Sequence, residues 1–489
     1  MSEKVSRRNF VRTTAGVAAG LTIMAGKAPF SYAQNEKVRV ACIGTGGQGT
    51  YHVRDGLMGA AQDISIIAVC DVYEPHQRSA KTYAQVSNAG VEILPPGITD
   101  KQKKLVMAAY APQAYYDYKE MLEKEKPDAV VIATPLSTHY QIVMDALDAG
   151  CFVFCEKTMC YDIEQARQIV LKCNEKKKFV QVGHQRRYNP LYNKAAALIR
   201  DGVIGRIVHI DAQWHRNNDW RRPVDKTRQL NAYEAKYIPD LEKHLNWRLY
   251  ADTSRGLMTE LATHQLDIAS WYLDAMPKRA CGLGGLDYWR DGRNVDDNAN
   301  IIFEYEVTPA SKAFTFVNPR NAFQTNEAIN QPYSVRFAYS NIMANEKKGC
   351  SELIEGDKGT IELTETGGSI YEEATAKVKW GSGGNTATKA EDAAKVITSG
   401  GTLSLSNKEV TKGEPITVDN SKSVDQLQFI QFAKDIKNGG MPKSNQMVGL
   451  RATIMALSGF KAMAEHTVVD IDPALYTFDF PTPDPSVIS

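Results

Sequence analysis

The stretch VRVACIGTGGQGTYHV, residues 38–53, decides the fold. A β-branched run of strand length meets Gly44, Gly46 and Gly49 in a G-x-G-x-x-G spacing, and residues suited to a helix follow. The first glycine permits a tight turn, the second lets a pyrophosphate approach the backbone, and the third lets the helix pack closely. The helix start then offers unpaired N–H groups and a favourable dipole to phosphate. Working outward, ISIIAVC (Ile64–Cys70) is a second strand-like run, and Asp71 follows it. An acid there binds the ribose hydroxyls of NAD and repels a 2′-phosphate, although nearby Arg78 leaves NADP open. Gly44, Gly46, Gly47, Gln48, Gly49 and Asp71 are therefore the predicted cofactor contacts of this half.

Three more apolar runs, at 128–133, 151–155 and 179–182, alternate with helix-period stretches at 139–149 and Ile163–Lys176. Strands and helices in alternation predict a parallel sheet with right-handed crossovers, covered on both faces. After Tyr188 the rhythm changes. Strand-like runs at 207–214, 299–305, 313–317 and 333–339 surround a long helical stretch at 256–273, and 354–361 reads as two short strands about a turn. Helical periodicity returns at 424–436 and 448–464, after a segment rich in Gly, Ser, Thr and Lys at 381–420. The expected class is α/β. An N-terminal NAD(P)-binding Rossmann domain spans 34–187, an α+β domain with a mostly antiparallel open β-sheet spans 188–470, and a Pro-rich extended tail spans 471–489. The stretch around 94–109 lengthens the second crossover at the surface.

The bulk numbers suit this division. The chain has 489 residues, 43% hydrophobic and 24% charged, enough for two ordinary cores. Its 58 basic and 57 acidic side chains, net +1, argue against nucleic-acid binding or a polybasic membrane patch. Eight cysteines are present, but Cys42, Cys70 and Cys155 lie inside apolar runs as small buried hydrophobes. No CxxC pair has a matching second pair, so neither a zinc site nor any other metal is expected. Ahead of residue 34, Ser6-Arg7-Arg8-Asn9-Phe10-Val11 reads as a twin-arginine export signal. It is followed by a short apolar run at 15–26, by Lys27, and by small residues around Ser31 and Ala33. A signal at 1–33 predicts passage through the twin-arginine machinery to the periplasm, after folding around the cofactor.

Two further clusters carry chemistry. Glu156-Lys157-Thr158 follows a central strand, at the carboxyl end where open α/β sheets bind ligands. Glu260, His264 and Asp267 stand at i, i+4 and i+7, so a regular helix puts an imidazole between two carboxylates on one face. Leu257, Leu261, Ile268 and Trp271 fall to another side. Residues 215–221, HRNNDWR, are dense in groups suited to sugars, whereas His139, His184 and His244 read as structural or as supports behind the site rather than as metal ligands.

Together GTGGQG, ATPLSTH (133–139), CEKT, GHQRRYNP (183–190), ELATHQLD, GDKGTIEL and Gly449-x-Arg451 resemble the Gfo/Idh/MocA oxidoreductase family. The resemblance covers nearly all of the chain beyond the signal. It implies Lys157 as the catalytic lysine, His264 as general base and Glu260 as the third catalytic group. It implies Thr134, Pro135, His139, Glu156 and Lys157 at the nicotinamide end of the cofactor. Arg187, Tyr188, Trp214, His215 and Asp267 are the expected substrate contacts. Thr158 stands where the family has proline, which is expected to loosen the turn, and Glu260 stands where it has aspartate. The implied activity is NAD-dependent oxidation of a carbohydrate ring hydroxyl. A redox-neutral glycosidase, a ping-pong oxidoreductase and a non-catalytic carbohydrate-binding protein remain open, as does a homo-oligomer through the second-domain sheet.

Overall fold

The computed structural model describes residues 36–89, 111–319, 323–373 and 413–485. The export signal, the 94–109 excursion and most of the 381–420 segment lie outside the described residues. Six strands form the first sheet: β1 (Val38–Ile43), β2 (Ile64–Cys70), β3 (Gln113–Tyr115), β4 (Ala129–Ile132), β5 (Phe152–Cys155) and β6 (Val180–Val182). Their order is β3-β2-β1-β4-β5-β6, with every pair parallel. The order reverses at β1, between β2 and β4, and a crevice opens at the carboxyl ends of strands at such a switch point.

The crossover helices start and stop on local signals. Ile163–Lys176 begins at Asp162, whose carboxylate accepts the Glu164 and Gln165 N–H groups, and it ends at Lys177 in the left-handed conformation. Ala166, Ile169, Val170 and Cys173 face inward at helical spacing. The two faces of the sheet are covered differently. One takes His139–Asp148 and Ile163–Lys176, packed on each other. The other takes the helix at the glycine turn and, from far along the chain, Val424–Asn438. Ser423 and Gln426 start this last helix with a capping box. Phe429 and Phe432 then dock it on Phe154 of β5, with the Phe154 and Phe429 rings 4.7 Å apart. Aromatic pairs of this kind add about 0.5–1.5 kcal/mol beyond burial of area. A helix expected in the second domain thus completes the first.

The second sheet holds β7 (Ile207–His215), β8 (Pro277–Gly285), β9 (Asn298–Val307), β10 (Tyr333–Ile342), β11 (Cys350–Gly356), β12 (Gly359–Thr364) and β13 (Gly367–Glu372). The two-residue strands β14 (Glu414–Pro415) and β15 (Val469–Asp470) lie at its edges. Only β7 with β10 is parallel among the described pairs. Burial alternates along β11 and β12, so one face packs and the other is open. The helix Gln446–Glu465 lies between the two sheets and touches Ile163–Lys176, β6 and β8.

Two expectations change, and one strand stands where no element was expected. The run at 313–317 is not a strand. Arg206 donates to the Thr315 carbonyl and Asn330 brackets the N–H and carbonyl of Val317, so side chains take the bonds a ladder would use. The glycine-rich Pro277–Gly285, for which no element was expected, is a strand. Its glycines lie against β9, where a Cβ on Gly282 would stand 2.4 Å from the Asn300 carbonyl oxygen. The tail at 471–485 packs down rather than trailing: Arg167 donates to Ala474 and Leu475, and Arg187 to Pro485.

All eight cysteines are free, and seven are buried, with Cys281 partly exposed. Burial pushes the Cys42 thiol up to about 12. Thiolate is the reactive form. A disulfide reagent is therefore expected to label Cys281 alone in the native protein and all eight thiols in denaturant. Rapid native labelling of several would contradict this packing.

Candidate active site

The glycine turn is locked by contact. Gly44 has φ +79, and a Cβ there would stand 2.6 Å from Thr134 Cγ2. A Cβ on Gly49 would stand 1.9 Å from the Gly44 carbonyl oxygen. Neither position admits a side chain. Asp71 accepts the Thr45 N–H at 2.7 Å and the Tyr73 N–H at 2.8 Å. The Thr45 hydroxyl also donates to Oδ2, at 3.3 Å, so the acceptor capacity left for a ribose is on Oδ1.

Glu156, at the end of β5, accepts from or donates to His52 across 2.6 Å, according to where the shared proton lies, and accepts the Lys157 N–H at 3.1 Å. Burial pushes its carboxyl up, but the His52 bond and the charges of His52 and Lys157 outweigh this and hold it below its ordinary value. Lys157 Nζ donates to the Glu260 backbone carbonyl at 2.5 Å, and Thr158 Oγ1 donates to the Thr259 carbonyl at 2.7 Å. These acceptors lie in a π-turn, Met258–Ala262, that opens the helix Thr263–Leu273. Such turns interrupt the regular hydrogen-bond ladder and recur at functional sites. The hydroxyl of Thr158 therefore ties this loop down, contrary to the looser turn expected from loss of a proline. His139, buried, places Nδ1 at 2.9 Å from the Thr158 carbonyl and Nε2 at 2.9 Å from the Thr134 carbonyl, joining the two loops.

These groups surround a cavity of about 340 Å³. Of the predicted residues, Gln48, Thr134, His139, Glu156, Lys157, Trp214, Glu260 and His264 line it. Three aromatic faces (Trp214, Trp220, Trp247) and three guanidinium groups (Arg216, Arg222, Arg248) also face it. The His264 ring lies 5.6 Å from that of Trp214 and 6.0 Å from that of His184. Burial first, then the cations Lys157 and Arg186, hold His264 well below 6.5. Burial likewise brings His184 down to about 4.

Other expected residues are placed elsewhere. Arg187 and Asp267 form a buried ion pair in which Arg187 Nε and Nη2 reach both carboxylate oxygens at 2.7–3.1 Å. Both are buried and off the cavity wall. Arg187 bonds Asp267 and the carbonyls of Lys443 and Pro485, which takes the pair out of the substrate contacts. Tyr188 points its hydroxyl at the Ser444 N–H, and His215 pairs with Ser340 at 2.9 Å, so neither faces the cavity. Glu260 does not orient the imidazole. Its carboxylate takes Arg248 Nε at 2.9 Å and the Ser254 hydroxyl at 3.2 Å, and His264 Nδ1 has no partner among the described residues. The imidazole is not flanked by two carboxylates because guanidinium groups, stronger partners, claim both.

Sequence reading missed His52, Gln185, Arg222, Trp247 and Arg248. Trp247 and Arg248 sit in a short 3-10 turn without any motif spacing. Arg222 reaches across from the second domain, its Nη2 2.8 Å from where a Cβ on Gly47 would be. Gly46 has no atom closer than 3.5 Å to that position. An open glycine backbone, a guanidinium above it and an acid just after β2 fit a dinucleotide with its diphosphate at the turn. Among the described residues no cluster of three His, Cys, Asp or Glu side chains could hold a metal.

A turn of this build at a switch point, joined to an open mixed sheet, defines a two-domain dinucleotide-binding protein. Residues 38–184 match the model of the oxidoreductase family with an NAD-binding Rossmann fold, and 192–328 match the GFO/IDH/MocA C-terminal domain. The chain belongs to the Gfo/Idh/MocA oxidoreductase family. It is 33% identical over 171 residues to an inositol 2-dehydrogenase/D-chiro-inositol 3-dehydrogenase of Lactiplantibacillus plantarum, covering 34% of this chain and 47% of that protein. It is 29% identical over 223 residues to glycosyl hydrolase family 109 protein 1 of Akkermansia muciniphila, covering 43% of each. The chain thus spans less than half the length of these relatives. Among solved structures, an NADH complex of levoglucosan dehydrogenase superposes with a TM-score of 0.60 at 14% identity, over 89% of this chain and 100% of that one. The aldose-aldose oxidoreductase of Caulobacter crescentus, complexed with glycerol, gives the same score, identity and coverage. At such identities the likeness is one of fold.

The Arg187–Asp267 pair separates a structural role from a substrate role. Removing one partner of a buried pair strands the other and costs about 3–5 kcal/mol. Asp267→Ala is expected to lose that much in urea unfolding. A variant of unchanged stability and altered substrate KM would return Asp267 to the substrate site.

Proposed function

We propose that this chain is an NAD-dependent oxidoreductase that oxidises a ring hydroxyl of a sugar or glycoside to a ketone, with its nucleotide held between turnovers. The observation that carries the reading is the meeting of Lys157 and His264 in one cavity with Thr134 and Gln48 of the dinucleotide-binding half. NAD, when bound, supplies the hydride acceptor. Gly44, Gly46, Gly49 and Asp71 would hold it, with Arg222 at its diphosphate. His264, held neutral, takes the hydroxyl proton while Lys157 stabilises the charge that develops on the oxygen. The carbon gives up its hydrogen with two electrons, and the C–O bond becomes C=O. Glu260 contributes as an anchor, fixing Lys157 through its carbonyl and Arg248 through its carboxylate.

The export signal belongs to the same proposal. In the periplasm a dissociated nucleotide is lost, so the reading requires a cofactor that stays bound and is reoxidised in place. The open face of the second sheet, with Val208, Leu283 and Ile302 exposed on β7, β8 and β9, is the surface on which we place self-association. The Akkermansia relative favours a second reading, a glycosidase that oxidises, eliminates and re-reduces with one retained NAD. Denaturing the purified protein is expected to release NAD. Adding the right glycoside to the native protein is expected to raise the reduced-nicotinamide band. Bond cleavage with no net reduction and no acceptor selects the glycosidase. Binding with neither change supports a carbohydrate-binding protein without turnover.

The electrostatics fix a pH profile. His264 must be unprotonated, and its value lies well below 6.5, so the acid limb of kcat/KM is expected below pH 6.5. Burial lowers Lys157 from 10.5, against the pull of Glu260 and Glu156, so loss of its charge places an alkaline limb below pH 10.5. Lys157→Ala and His264→Ala are each expected to reduce kcat about 10²–10⁴-fold with bound nucleotide retained. An acid limb above pH 6.5 that survives in His264→Ala would contradict the assignment.

A further inference from the structure

Four cationic side chains and two carboxylates face the cavity: Lys157, Arg216, Arg222 and Arg248 against Glu156 and Glu260. The carboxylates are already engaged, Glu260 by Arg248 and Glu156 by His52. Lys157 is held by the Glu260 carbonyl, and Arg222 stands over the glycine turn at the place assigned to the diphosphate. Arg216 is left over. Its guanidinium has no ion pair or hydrogen bond with any described residue; it rests on Trp214, 4.7 Å from the ring centroid. Burial lowers it from its ordinary value, opposed from a distance by Glu365, which is exposed on the turn after β12.

A partly buried charge with no counter-charge is costly unless something else supplies one. The cation–π contact with the indole fixes the guanidinium without neutralising it. A planar fork held in this way suits a carboxylate, which it grips by two parallel hydrogen bonds. The same indole lies 5.6 Å from the His264 ring, so a group held by Arg216 belongs to the molecule that reaches His264 and Lys157.

We propose that the substrate is an acidic sugar, a uronic acid or uronoside, whose carboxylate is held by Arg216 while its ring lies against Trp214 and one ring hydroxyl reaches Lys157 and His264. This rests on the dehydrogenase reading of the site, and it names the substrate class that reading leaves open. The carboxylate takes no part in the redox step; it fixes which ring carbon stands at His264.

The test is calorimetric binding to the purified, NAD-loaded protein, using matched pairs: the methyl glycosides of glucuronate and glucose, galacturonate and galactose, and mannuronate and mannose. Charged hydrogen bonds of this kind discriminate by about tenfold or more. At least one uronoside is expected to bind that much more tightly than its neutral parent. Arg216→Gln, checked for retained nucleotide and unchanged melting temperature, is expected to erase the difference. Equal affinity within all three pairs, failure of every uronoside to bind, or a preference that survives in Arg216→Gln overturns the proposal. The absorbance of the same mixtures separates the two claims. A uronoside preference without nicotinamide reduction upholds the acidic-sugar site and refutes the dehydrogenase. Reduction by neutral sugars without preference does the reverse.

Discussion

Two hydrogen bonds couple the halves of this molecule beside the cavity that holds Lys157 and His264. Lys157 Nζ and Thr158 Oγ1, at the end of a strand in the first sheet, donate to the Glu260 and Thr259 carbonyls of the π-turn in the second domain. A regular helix would commit more of its carbonyls to its own ladder. The π-turn leaves acceptors facing the lysine loop, and His264 follows four residues after Glu260 on the same helix. The lysine and the histidine are therefore placed by one contact rather than by two independent loops. The side chain that makes the contact double is the threonine at position 158, whose hydroxyl proline lacks.

Behind this contact stands a buried polar chain. His52, fully buried, bridges Glu156 at 2.6 Å and faces Asp425 at 3.7 Å, with Phe154 and Phe429 against its ring. Asp425 belongs to the helix Val424–Asn438, which returns to the first sheet from more than two hundred residues away in the chain. The helix after the glycine turn and the lysine loop thus share one hydrogen bond, and the late helix brings a carboxylate near His52 Nδ1, which has no hydrogen-bond partner among the described residues. The Arg187–Asp267 pair does comparable work at the domain junction, holding the second domain's helix to the residues that leave β6.

Much of this was legible in the sequence. The parallel sheet, the open second sheet and the lysine and histidine of the cavity follow from strand-length runs, glycine spacing and family motifs. Ile163–Lys176 matches residue for residue because its signals are local: Asp162 at its start and regular burial along it. What was illegible depends on distant partners. Arg187 and Asp267 carry the residue types of a substrate site, and only the fold reveals that they satisfy each other. Arg222, Trp247 and Arg248 enter the cavity from irregular chain, where no periodicity announces a side chain's direction. The π-turn also defeated helical spacing: i, i+4 and i+7 assume a regular helix, and Asp267 leaves the face that Glu260 and His264 share.

The central claim is that a hydrogen leaves a sugar ring carbon within this cavity, with His264 and Lys157 managing the oxygen. The most direct measurement incubates the NAD-loaded protein with a sugar deuterated at every ring carbon, then denatures it and weighs the released nucleotide. The account predicts reduced nucleotide carrying one deuterium, and none in His264→Ala on the same timescale. A sugar that is bound or cleaved while the nucleotide remains free of label, with all its deuterium retained on the ring, would contradict it.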